Sequence, residues 1–379
     1  LGDVYKRQVI MKTTQKKYGI VTHYMVHNHG AVLQLTALIR TLKKKGIEAS
    51  ALQFEKSYDF MGHAVRAKYE ISIKSVGIYI KYLMSEGFRK TWYNFRKSRT
   101  LSHFKKETGI IGPYYTDAKD LNGVIIGSDE VFALHSGPTP VFYGHAAPSK
   151  KVFAYAGCFG PTTYKDVVEL HCKAFVEGGL QAMCGISVRD ENSREVVEKL
   201  TGISPKLVCD PVLLYGYEEE IAKMEKPIKD NYLLIYAYDG RMDTPEEVVA
   251  IKNYAKTHGL KTLSPGFYHP WVDINANVDP VNLLGYFKYA SAVITDTFHG
   301  SVMSIITDAS IAVRTRDSNH FKLYNLLAEY GLEDRIVTSW DKLDAVLNLP
   351  IDFNSVHEQV KVRRADSMAY LDEMIAKEV

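Results

Sequence analysis

The sequence predicts two doubly wound α/β domains followed by a C-terminal helix. The chain has 379 residues, of which 46% are hydrophobic and 24% are charged. That composition is typical of folded globular proteins, and the length fits two to three domains. Short apolar stretches alternate with glycine-containing loops and amphipathic stretches, an order typical of parallel sheets with helical crossovers. The alternation resumes after Pro211, so a second domain is predicted there.

The first domain begins with a predicted βαβ unit. Residues 18–22 (YGIVT) predict a short buried strand, and a loop over 23–30 connects it to an amphipathic helix over 31–45. A second strand is predicted over 46–52. Gly202 is a usual stop signal just past the last predicted helix of this half. The remaining elements predicted here are strands over 121–126, 151–156, 185–190 and 205–211, and helices over 165–177 and 191–200.

The second half repeats this order of elements. Its predicted strands are 232–238, 260–263, 292–295 and 310–313, and its predicted helices are 245–258, 280–290, 300–307, 320–330 and 354–377. We therefore expect a first domain over 11–204, a second domain over 205–345 and a helical tail over 346–379. Ligands of such sheets bind beyond the carboxyl ends of the strands, so a binding cleft is expected between the domains.

A basic segment over 61–106 interrupts the first domain. It holds eleven Lys or Arg residues and two acidic residues, whereas the whole chain has a net charge of +3. Apolar residues such as Ile80 and Leu83 recur at helical spacing, so basic helices are predicted. Two interpretations stay open: a solvated face that steers anionic substrates, and peripheral contact with an anionic membrane. Interleaved aromatic residues such as Trp92 favour steering together with weak docking.

The sequence also limits where the protein is expected to act. No apolar run approaches the ~18 residues that span a bilayer, and the small net charge argues against a nucleic-acid partner. Four well-separated cysteines without a CxxC pair are typical of reduced thiols, which predicts a cytoplasmic protein, with peripheral contact at the inner face of the membrane left open. Residues 1–10 (LGDVYKRQVI) lack an apolar signal region, and we expect the natural start to be Met11.

Polar residues follow three of the predicted strands directly. The clearest case is residues 294–301 (ITDTFHGS), where His299 lies at the turn into a helix. The free N–H groups of a helix start attract anions, and imidazole transfers protons near neutral pH. His299 is therefore a candidate for proton transfer. The alternative is that it caps the helix or satisfies a contact in the core.

The other two strand ends carry a carboxylate and a guanidinium. In residues 127–130 (GSDE), glycine allows a tight turn and Asp129 either faces the cleft or is a plain helix N-cap. Arg189 follows another strand and is suited to clamping a phosphate or carboxylate with two hydrogen bonds. It is equally suited to a salt bridge with Asp190 or Asp210 that joins the domains.

Several common functional motifs are absent from the sequence. Residues 23–30 (HYMVHNHG) carry three histidines, but no carboxylate completes a ligand set and polar caps are usual before a helix, so no metal is expected. The chain has no P-loop, GxGxxG, HExxH or GxSxG motif.

Seven motifs, taken together and in order, resemble the polysaccharide pyruvyl transferase family. They are NHGAVLQ (28–34), GSDEVF (127–132), AYAGCFG (154–160), SVRD (187–190), DPVLL (210–214), TDTFHG (295–300) and LLAEYGL (326–332). Each motif is weak alone, but seven in the right order are specific. The resemblance implies two Rossmann-like domains in a GT-B-like arrangement. It also implies transfer of a pyruvyl group from phosphoenolpyruvate to a sugar of an exopolysaccharide or cell-wall glycan, forming a ketal.

The resemblance further implies which residues act. In the family a His and an Arg of a Val-Arg-Asp motif lie at the donor, and by position these are His299 and Arg189. We assign proton transfer to His299 and the phosphate or carboxylate clamp to Arg189. No cofactor and no metal are expected. The expected partners are the small-molecule donor and a glycan or lipid-linked sugar acceptor. Other expected substrate-binding residues belong to the same motifs: Asn28, Gly30, Gly127, Ser128, Asp129, Thr297, Phe298, Gly300 and Ser301.

The sequence departs from the family pattern at Thr297, where an Arg is expected. Losing a bidentate donor removes a strong phosphate contact, so Arg314, Arg316 or Lys151 would have to supply the charge. Two alternatives stay open. One is a GT-B-like glycosyltransferase that uses a nucleotide sugar, which Thr297 favours. The other is a non-catalytic homologue that binds a sugar or an anion.

Overall fold

The first domain is built around a seven-stranded parallel sheet. The computed structural model describes residues 15–55, 73–135, 137–316 and 319–378. The sheet has the order β3-β2-β1-β4-β5-β6-β7. Every residue of the central strands β4 and β5 is buried, as expected where a parallel sheet is covered on both faces. The strands are β1 (Lys17–Val21), β2 (Glu48–Gln53), β3 (Ile111–Tyr114), β4 (Gly123–Ile126), β5 (Val152–Gly157), β6 (Gly185–Val188) and β7 (Lys206–Leu207). The helices are α1 (His29–Lys44), α2 (Ile73–Thr108), α3 (Tyr164–Glu169), α4 (Lys173–Gln181) and α5 (Glu191–Thr201).

The second domain contains a five-stranded parallel sheet in the order β10-β9-β8-β11-β12. The strands are β8 (Tyr232–Tyr236), β9 (Lys261–Pro265), β10 (Ile274–Ala276), β11 (Ala292–Thr295) and β12 (Ile311–Val313). Two short helices lead into it, α6 (Pro211–Tyr215) and α7 (Glu218–Ala222). The other helices are α8 (Pro245–Thr257), α9 (Leu283–Lys288), α10 (Phe298–Ile306), α11 (His320–Glu329), α12 (Leu343–Asn348) and α13 (Phe353–Ala376).

Both sheets reverse their strand order in the way that creates a binding crevice. In the first sheet the reversal lies between the parallel neighbours β1 and β4. In the second sheet it lies between β8 and β11, which are also parallel. Because ligands bind at such switch points beyond the strand ends, the loops after these four strands are expected to form the site. The two doubly wound sheets predicted from the sequence are thus confirmed.

The sequence analysis missed the strands β3 and β10 and a break in one predicted helix. β3 and β10 are edge strands, and β3 contains Pro113, which removes a backbone donor and weakens the strand pattern. The helix predicted over 165–177 is two helices, α3 and α4. The chain breaks between them at 170–172, where His171 has a positive φ of 56°.

The predicted domain boundary after residue 204 differs from the structure. β7 pairs with β6, with Lys206 beside Ser187, so the first sheet continues past that boundary. The C-terminal helix α13 then returns to the first domain. Tyr370 Oη donates to the carbonyl oxygen of Ala154 at 2.9 Å. The expected tail is therefore packed onto the first domain rather than forming a separate unit.

The basic segment forms one long element with a break. α2 is interrupted at Gly87, whose φ of 77° is outside the helical range, and residues 88–108 continue beyond it. Residues 61–72 of the predicted basic segment lie outside the described part of the chain. Among the described residues, no helix combines the length and apolar composition needed to cross a bilayer.

Candidate active site between the two sheets

A cavity of about 470 Å³ lies where the two switch points face each other. Loops after β1, β4, β8 and β11 all contribute to it, which is the arrangement expected for doubly wound sheets. Its lining residues include His23, Asn28, Asp129, Glu130, Arg189, Tyr238, Arg241, Asp296, Thr297, Phe298, His299 and Lys322.

His299 lies in the first turn of α10 and faces this cavity. Its side chain is 9% exposed, and Nε2 has no hydrogen-bond partner among the described residues. The nearest carboxylate oxygen is Asp210 Oδ2 at 3.6 Å, which is beyond hydrogen-bond distance. Gly30 of α1 packs directly on the imidazole: a Cβ atom there would lie 2.4 Å from His299 Cγ. The imidazole is thus held in place from the other domain, with its buried Nε2 beside Asp210.

Arg189 joins two carboxylates beneath the cavity. Its guanidinium donates to Asp210 Oδ2 at 3.1 Å and to Asp129 Oδ1 at 3.2 Å. Its Cζ lies 4.2 Å from the centre of the Phe298 ring, which covers one face of the group. The Arg189 side chain is 1% exposed, and Nε has no partner among the described residues. The salt bridge to Asp210 that the sequence left as an alternative is present, and that to Asp190 is not among the pairs formed here.

Asp210 is the centre of this cluster. Oδ1 accepts from the backbone N–H of Val212, so Asp210 caps α6. Oδ2 accepts from Arg189 and, at 3.4 Å, from Ser128 Oγ. Burial alone raises the pKa of Asp210, but His299 and Arg189 outweigh burial and hold that pKa below its usual range.

Asp129 lies on the other side of Arg189. Burial raises its pKa, yet the charges of Arg189 and His299 dominate, so its pKa is lowered well below the usual range. Its backbone has a positive φ of 79°, a strained conformation for a residue other than glycine. The strained turn aims the carboxylate at Arg189.

Four further charged residues line the cavity: Glu130, Arg241, Asp296 and Lys322. Arg241 Nη1 lies 3.5 Å from Asp296 Oδ2, and Arg316 Nε donates to the same oxygen at 2.8 Å. Burial raises the pKa of Asp296 despite these two partners. Lys322 donates to Glu130 Oε1 at 2.5 Å, a contact between the two domains.

The remaining predicted site residues divide into two groups. Asn28 and Thr297 line the cavity, but each also caps a helix: Asn28 accepts from the N–H groups of Gly30 and Ala31, and Thr297 accepts from that of Gly300. The second group supports the site from behind rather than lining the cavity, and comprises Gly30, Gly127, Ser128, Gly300 and Ser301. Ser128, for example, is fully buried and donates to Asp210.

The three histidines of the first loop do not converge. His23 Nε2 lies 3.2 Å from the carbonyl oxygen of Glu130, and His27 Nε2 lies 3.0 Å from Ser98 Oγ. His29 Nε2 lies 2.8 Å from the carbonyl oxygen of Val278 in the second domain. Within the described ranges, no group of three His, Cys, Asp or Glu residues is arranged to hold a metal ion.

Of the three cations suggested in place of an Arg at position 297, Arg316 lies beside the cavity, where it donates to the lining residue Asp296 at 2.8 Å. Lys151 and Arg314 point elsewhere: Lys151 donates to the carbonyl oxygen of Ile375, and Arg314 to that of Val337. Arg241 and Lys322 line the cavity instead. Arg241 follows β8, so the strand-end rule could have found it. Lys322 lies on helix α11, where no such signal exists.

Acidification is expected to destabilise the protein through His29. Burial, followed by the charge of Lys97, lowers the pKa of His29 to about 3. In the unfolded chain the pKa is about 6.5, so below that pH the unfolded state binds a proton that the folded state does not. The contribution of His29 to the free energy of unfolding is therefore fully present above pH ~6.5 and is lost as the pH falls toward 3. Between pH 7 and 5 the free energy of unfolding should fall by about 2 kcal/mol from this residue.

Urea unfolding at several pH values measures this effect. In a His29→Gln variant, the loss of stability between pH 7 and 5 should shrink by about that amount. A His357→Gln variant, which alters an exposed histidine on α13, should keep the wild-type dependence. An unchanged pH dependence in His29→Gln would show that His29 is not responsible.

A methyl group at Gly30 is expected to displace His299. The added Cβ would also lie 2.6 Å from the imidazole Nδ1, so the ring must move. Misplacing a catalytic group by about 1 Å costs on the order of 10²-fold in rate, whereas overpacking costs about 1–3 kcal/mol in stability. Gly30→Ala should thus lower turnover by about 10²-fold while lowering the free energy of unfolding by about 1–3 kcal/mol. Gly178→Ala is the matched control, because Gly178 is also helical and a Cβ there meets open space; equal activity of the two variants would contradict the prediction.

Comparison with known proteins relates this geometry to one family and one fold. A family model described as polysaccharide pyruvyl transferase matches residues 28–309. No curated protein sequence matches the chain significantly. The structure is similar to that of a protein from Listeria monocytogenes described as a UDP-N-acetylglucosamine 2-epimerase, with 10% identity, a TM-score of 0.52, and coverage of 96% of this chain and 98% of that one. It is also similar to Arabidopsis thaliana UGT89C1 in complex with UDP-L-rhamnose, with 10% identity, a TM-score of 0.51, and coverage of 96% and 99%. These likenesses show the fold, which is the predicted GT-B-like pair of domains.

Proposed function

Because this chain belongs to the polysaccharide pyruvyl transferase family, we propose that it transfers a pyruvyl group from phosphoenolpyruvate to a sugar of an exopolysaccharide or cell-wall glycan, forming a pyruvate ketal. One observation carries the proposal. The buried imidazole of His299 lines the cavity between the domains, and its Nε2, which has no hydrogen-bond partner among the described residues, lies beside the Arg189–Asp210 pair. Such a group is placed to exchange a proton with a bound substrate.

The chemistry requires one proton donor and two additions at one carbon. In the proposed reaction, His299 delivers a proton to C3 of phosphoenolpyruvate and a sugar hydroxyl adds to C2, releasing its own proton. The proton of that hydroxyl returns to His299, the C2–O bond to phosphate breaks, and a second hydroxyl of the sugar adds to C2 and gives its proton to the departing phosphate. The products are inorganic phosphate and a cyclic ketal. Asp210, 3.6 Å from Nε2, stabilises the charged imidazolium without accepting its proton.

The donor is a small trianion and needs fixed positive charge. Arg189 retains this capacity, because a guanidinium has five N–H donors and, among the described residues, two of them are used in hydrogen bonds to carboxylates. Its two carboxylate partners fix its orientation, so we propose that its remaining donors clamp the phosphate or carboxylate of the donor. Among the described residues that line the cavity, the other Lys and Arg side chains are those of Arg241, which is 34% exposed, and Lys322.

Binding measurements on an Arg189→Lys variant test the clamp. Lysine keeps a positive charge between Asp129 and Asp210 but loses the forked donors, so the affinity for phosphoenolpyruvate should fall about tenfold or more. Arg194→Lys is the matched control, because Arg194 is exposed on α5 and pairs with Glu191. Undiminished affinity in Arg189→Lys would reject the clamp.

A second candidate function, glycosyl transfer from a nucleotide sugar, is favoured by the charge balance of the cavity. Among the described lining residues, three cations face three carboxylates, and each cation is paired with at least one of them. A cavity wall in which positive and negative charges balance suits a donor of lower charge density than phosphoenolpyruvate. The replacement of the expected Arg by Thr297 favours the same alternative.

Calorimetry and product analysis separate the candidates. We expect heat of binding with phosphoenolpyruvate and none with a panel of nucleotide sugars, and phosphate release when lipid-linked sugar extracts are added. Binding of a nucleotide sugar alone would support glycosyl transfer. Binding of phosphoenolpyruvate without phosphate release on any acceptor, unchanged in His299→Ala, would support a non-catalytic binding protein.

A further inference from the structure

We propose that the outer face of α2 docks on the surface of an anionic lipid bilayer. After the break at Gly87, three aromatic rings follow one another along this helix at positions 88, 92 and 95. Phe88 is 72% exposed, Trp92 52% and Phe95 50%, and Met84 just before the break is 82% exposed. We call these four residues the α2 stripe. A contiguous exposed apolar surface of this kind marks an interaction site.

The three rings of the α2 stripe are ordered by their own contacts. The rings of Phe88 and Trp92 stack with centres 6.4 Å apart, and those of Trp92 and Phe95 stack at 5.8 Å. Arg99 extends the row, with its Cζ 5.7 Å from the centre of the Phe95 ring. The spacing of four, three and four residues places all of them on one side of the helix.

The opposite side of the same helix is fixed to both domains. Tyr93, Lys97 and Leu101 are buried against the protein. Tyr93 Oη donates to the carbonyl oxygen of Ala276 in the second domain at 2.8 Å. The inner face of the helix is thus already packed against the protein, and the exposed rings lie on a separate, outer face.

The charge around the α2 stripe identifies the partner. Arg89, Arg96 and Arg99 are exposed beside the rings, and Glu86 is the only acidic residue between 73 and 106. Aromatic rings flanked by Arg or Lys match the interface of a bilayer with anionic headgroups, where the rings enter the headgroup region and the cations meet phosphates. A second copy of this chain fits less well, because a symmetric contact would set the same arginines against each other.

Docking would bring the cavity close to the bilayer. Ser98 Oγ lies 3.0 Å from His27 Nε2, and Lys105 donates to the carbonyl oxygen of Tyr24 at 3.1 Å, so α2 holds the loop that lines the cavity through His23 and Asn28. If the proposed function holds, an acceptor sugar anchored in the membrane by a lipid would meet the active site there. The docking itself requires no substrate, so it can fail or succeed independently of pyruvyl transfer.

Flotation of the full chain with vesicles tests the proposal. Vesicles of phosphatidylcholine containing phosphatidylglycerol should bind the protein, pure phosphatidylcholine vesicles should bind it weakly, and added salt should weaken binding to the anionic vesicles. The emission of Trp92 should shift to shorter wavelength on binding. A triple variant, Phe88→Ser, Trp92→Ser and Phe95→Ser, should lose about tenfold or more of the vesicle affinity. The charge variant Arg89→Gln with Arg96→Gln should weaken binding to anionic vesicles only.

A matched control uses an exposed aromatic residue on another surface. Phe321 on α11 is 74% exposed, so Phe321→Ser alters exposed apolar surface without touching α2, and it should bind vesicles as the wild type does. Circular dichroism establishes that the triple variant folds. Absence of binding to anionic vesicles, or equal binding by wild type and triple variant, would overturn the proposal. A dimer that sedimentation analysis detects for the wild type but not for the triple variant would also overturn the proposal, because the stripe would then be a protein interface.

Discussion

A His299→Gln variant is expected to release phosphate from phosphoenolpyruvate about 10²- to 10⁴-fold more slowly than the wild-type chain, which is the usual contribution of a positioned general acid or base. Glutamine fills similar space but does not exchange a proton near neutral pH. The fold should change little, because Nε2 makes no hydrogen bond with the described residues that the amide would have to replace. The loss should therefore lie in kcat, with a smaller change in KM.

His23→Gln is the matched comparison for this prediction. Its imidazole lines the same cavity, but Nε2 lies 3.2 Å from the carbonyl oxygen of Glu130 and the ring packs against Phe142. We expect this variant to keep most of the activity. A larger loss in His23→Gln than in His299→Gln would assign the proton transfer to His23, and equal activity of wild type and His299→Gln would remove the imidazole from the mechanism.

The fold was predictable because both sheets are parallel and buried. Their central strands are continuous apolar runs, such as 232–236 (YLLIY), all of whose residues are buried. The edge strands carry a weaker pattern, and the structure has strands at 111–114 and 274–276 that the sequence did not indicate. The pairing of Lys206 with the first sheet depends on contacts distant in sequence, which no local pattern encodes.

The residues of the candidate site were predictable from the sequence only where they follow the end of a strand. His299, Asp129 and Arg189 follow strands directly, and the structure brings all three to one cavity. Lys322 reaches the cavity from a helix, by a contact with Glu130 across the cleft. Asp210 lies in one of the seven motifs, but its position at the centre of the cluster depends on how the two domains meet. Sequence spacing contains no information on that contact.

Asp210→Ala is expected to lower the free energy of unfolding by about 3–5 kcal/mol, the cost of removing one partner from a buried ion pair. The Asp210 side chain is 0% exposed and accepts from Arg189, Ser128 and the N–H of Val212. Its removal leaves Arg189 with Asp129 as the only carboxylate partner that it contacts here. Thermal or urea unfolding at neutral pH measures the loss. Where alanine prevents folding, Asp210→Asn retains the shape and should still lose more than 1 kcal/mol.

Comparison with an Asp352→Ala variant separates the free energy lost with the ion pair to Arg189 from the free energy lost with a helix cap. Asp352 caps α13 as Asp210 caps α6, but it is exposed and has no role in the cluster. Losing a cap costs about 0.5–2 kcal/mol, so the excess cost of Asp210→Ala measures the pairing with Arg189. In Asp210→Asn, kcat should fall more than KM rises, because Asp210 acts through His299 and Arg189 rather than by contacting the donor. Equal costs for the two alanine variants would mean that Asp210 is only a cap. The cavity would then owe its geometry to the Asp129–Arg189 pair alone.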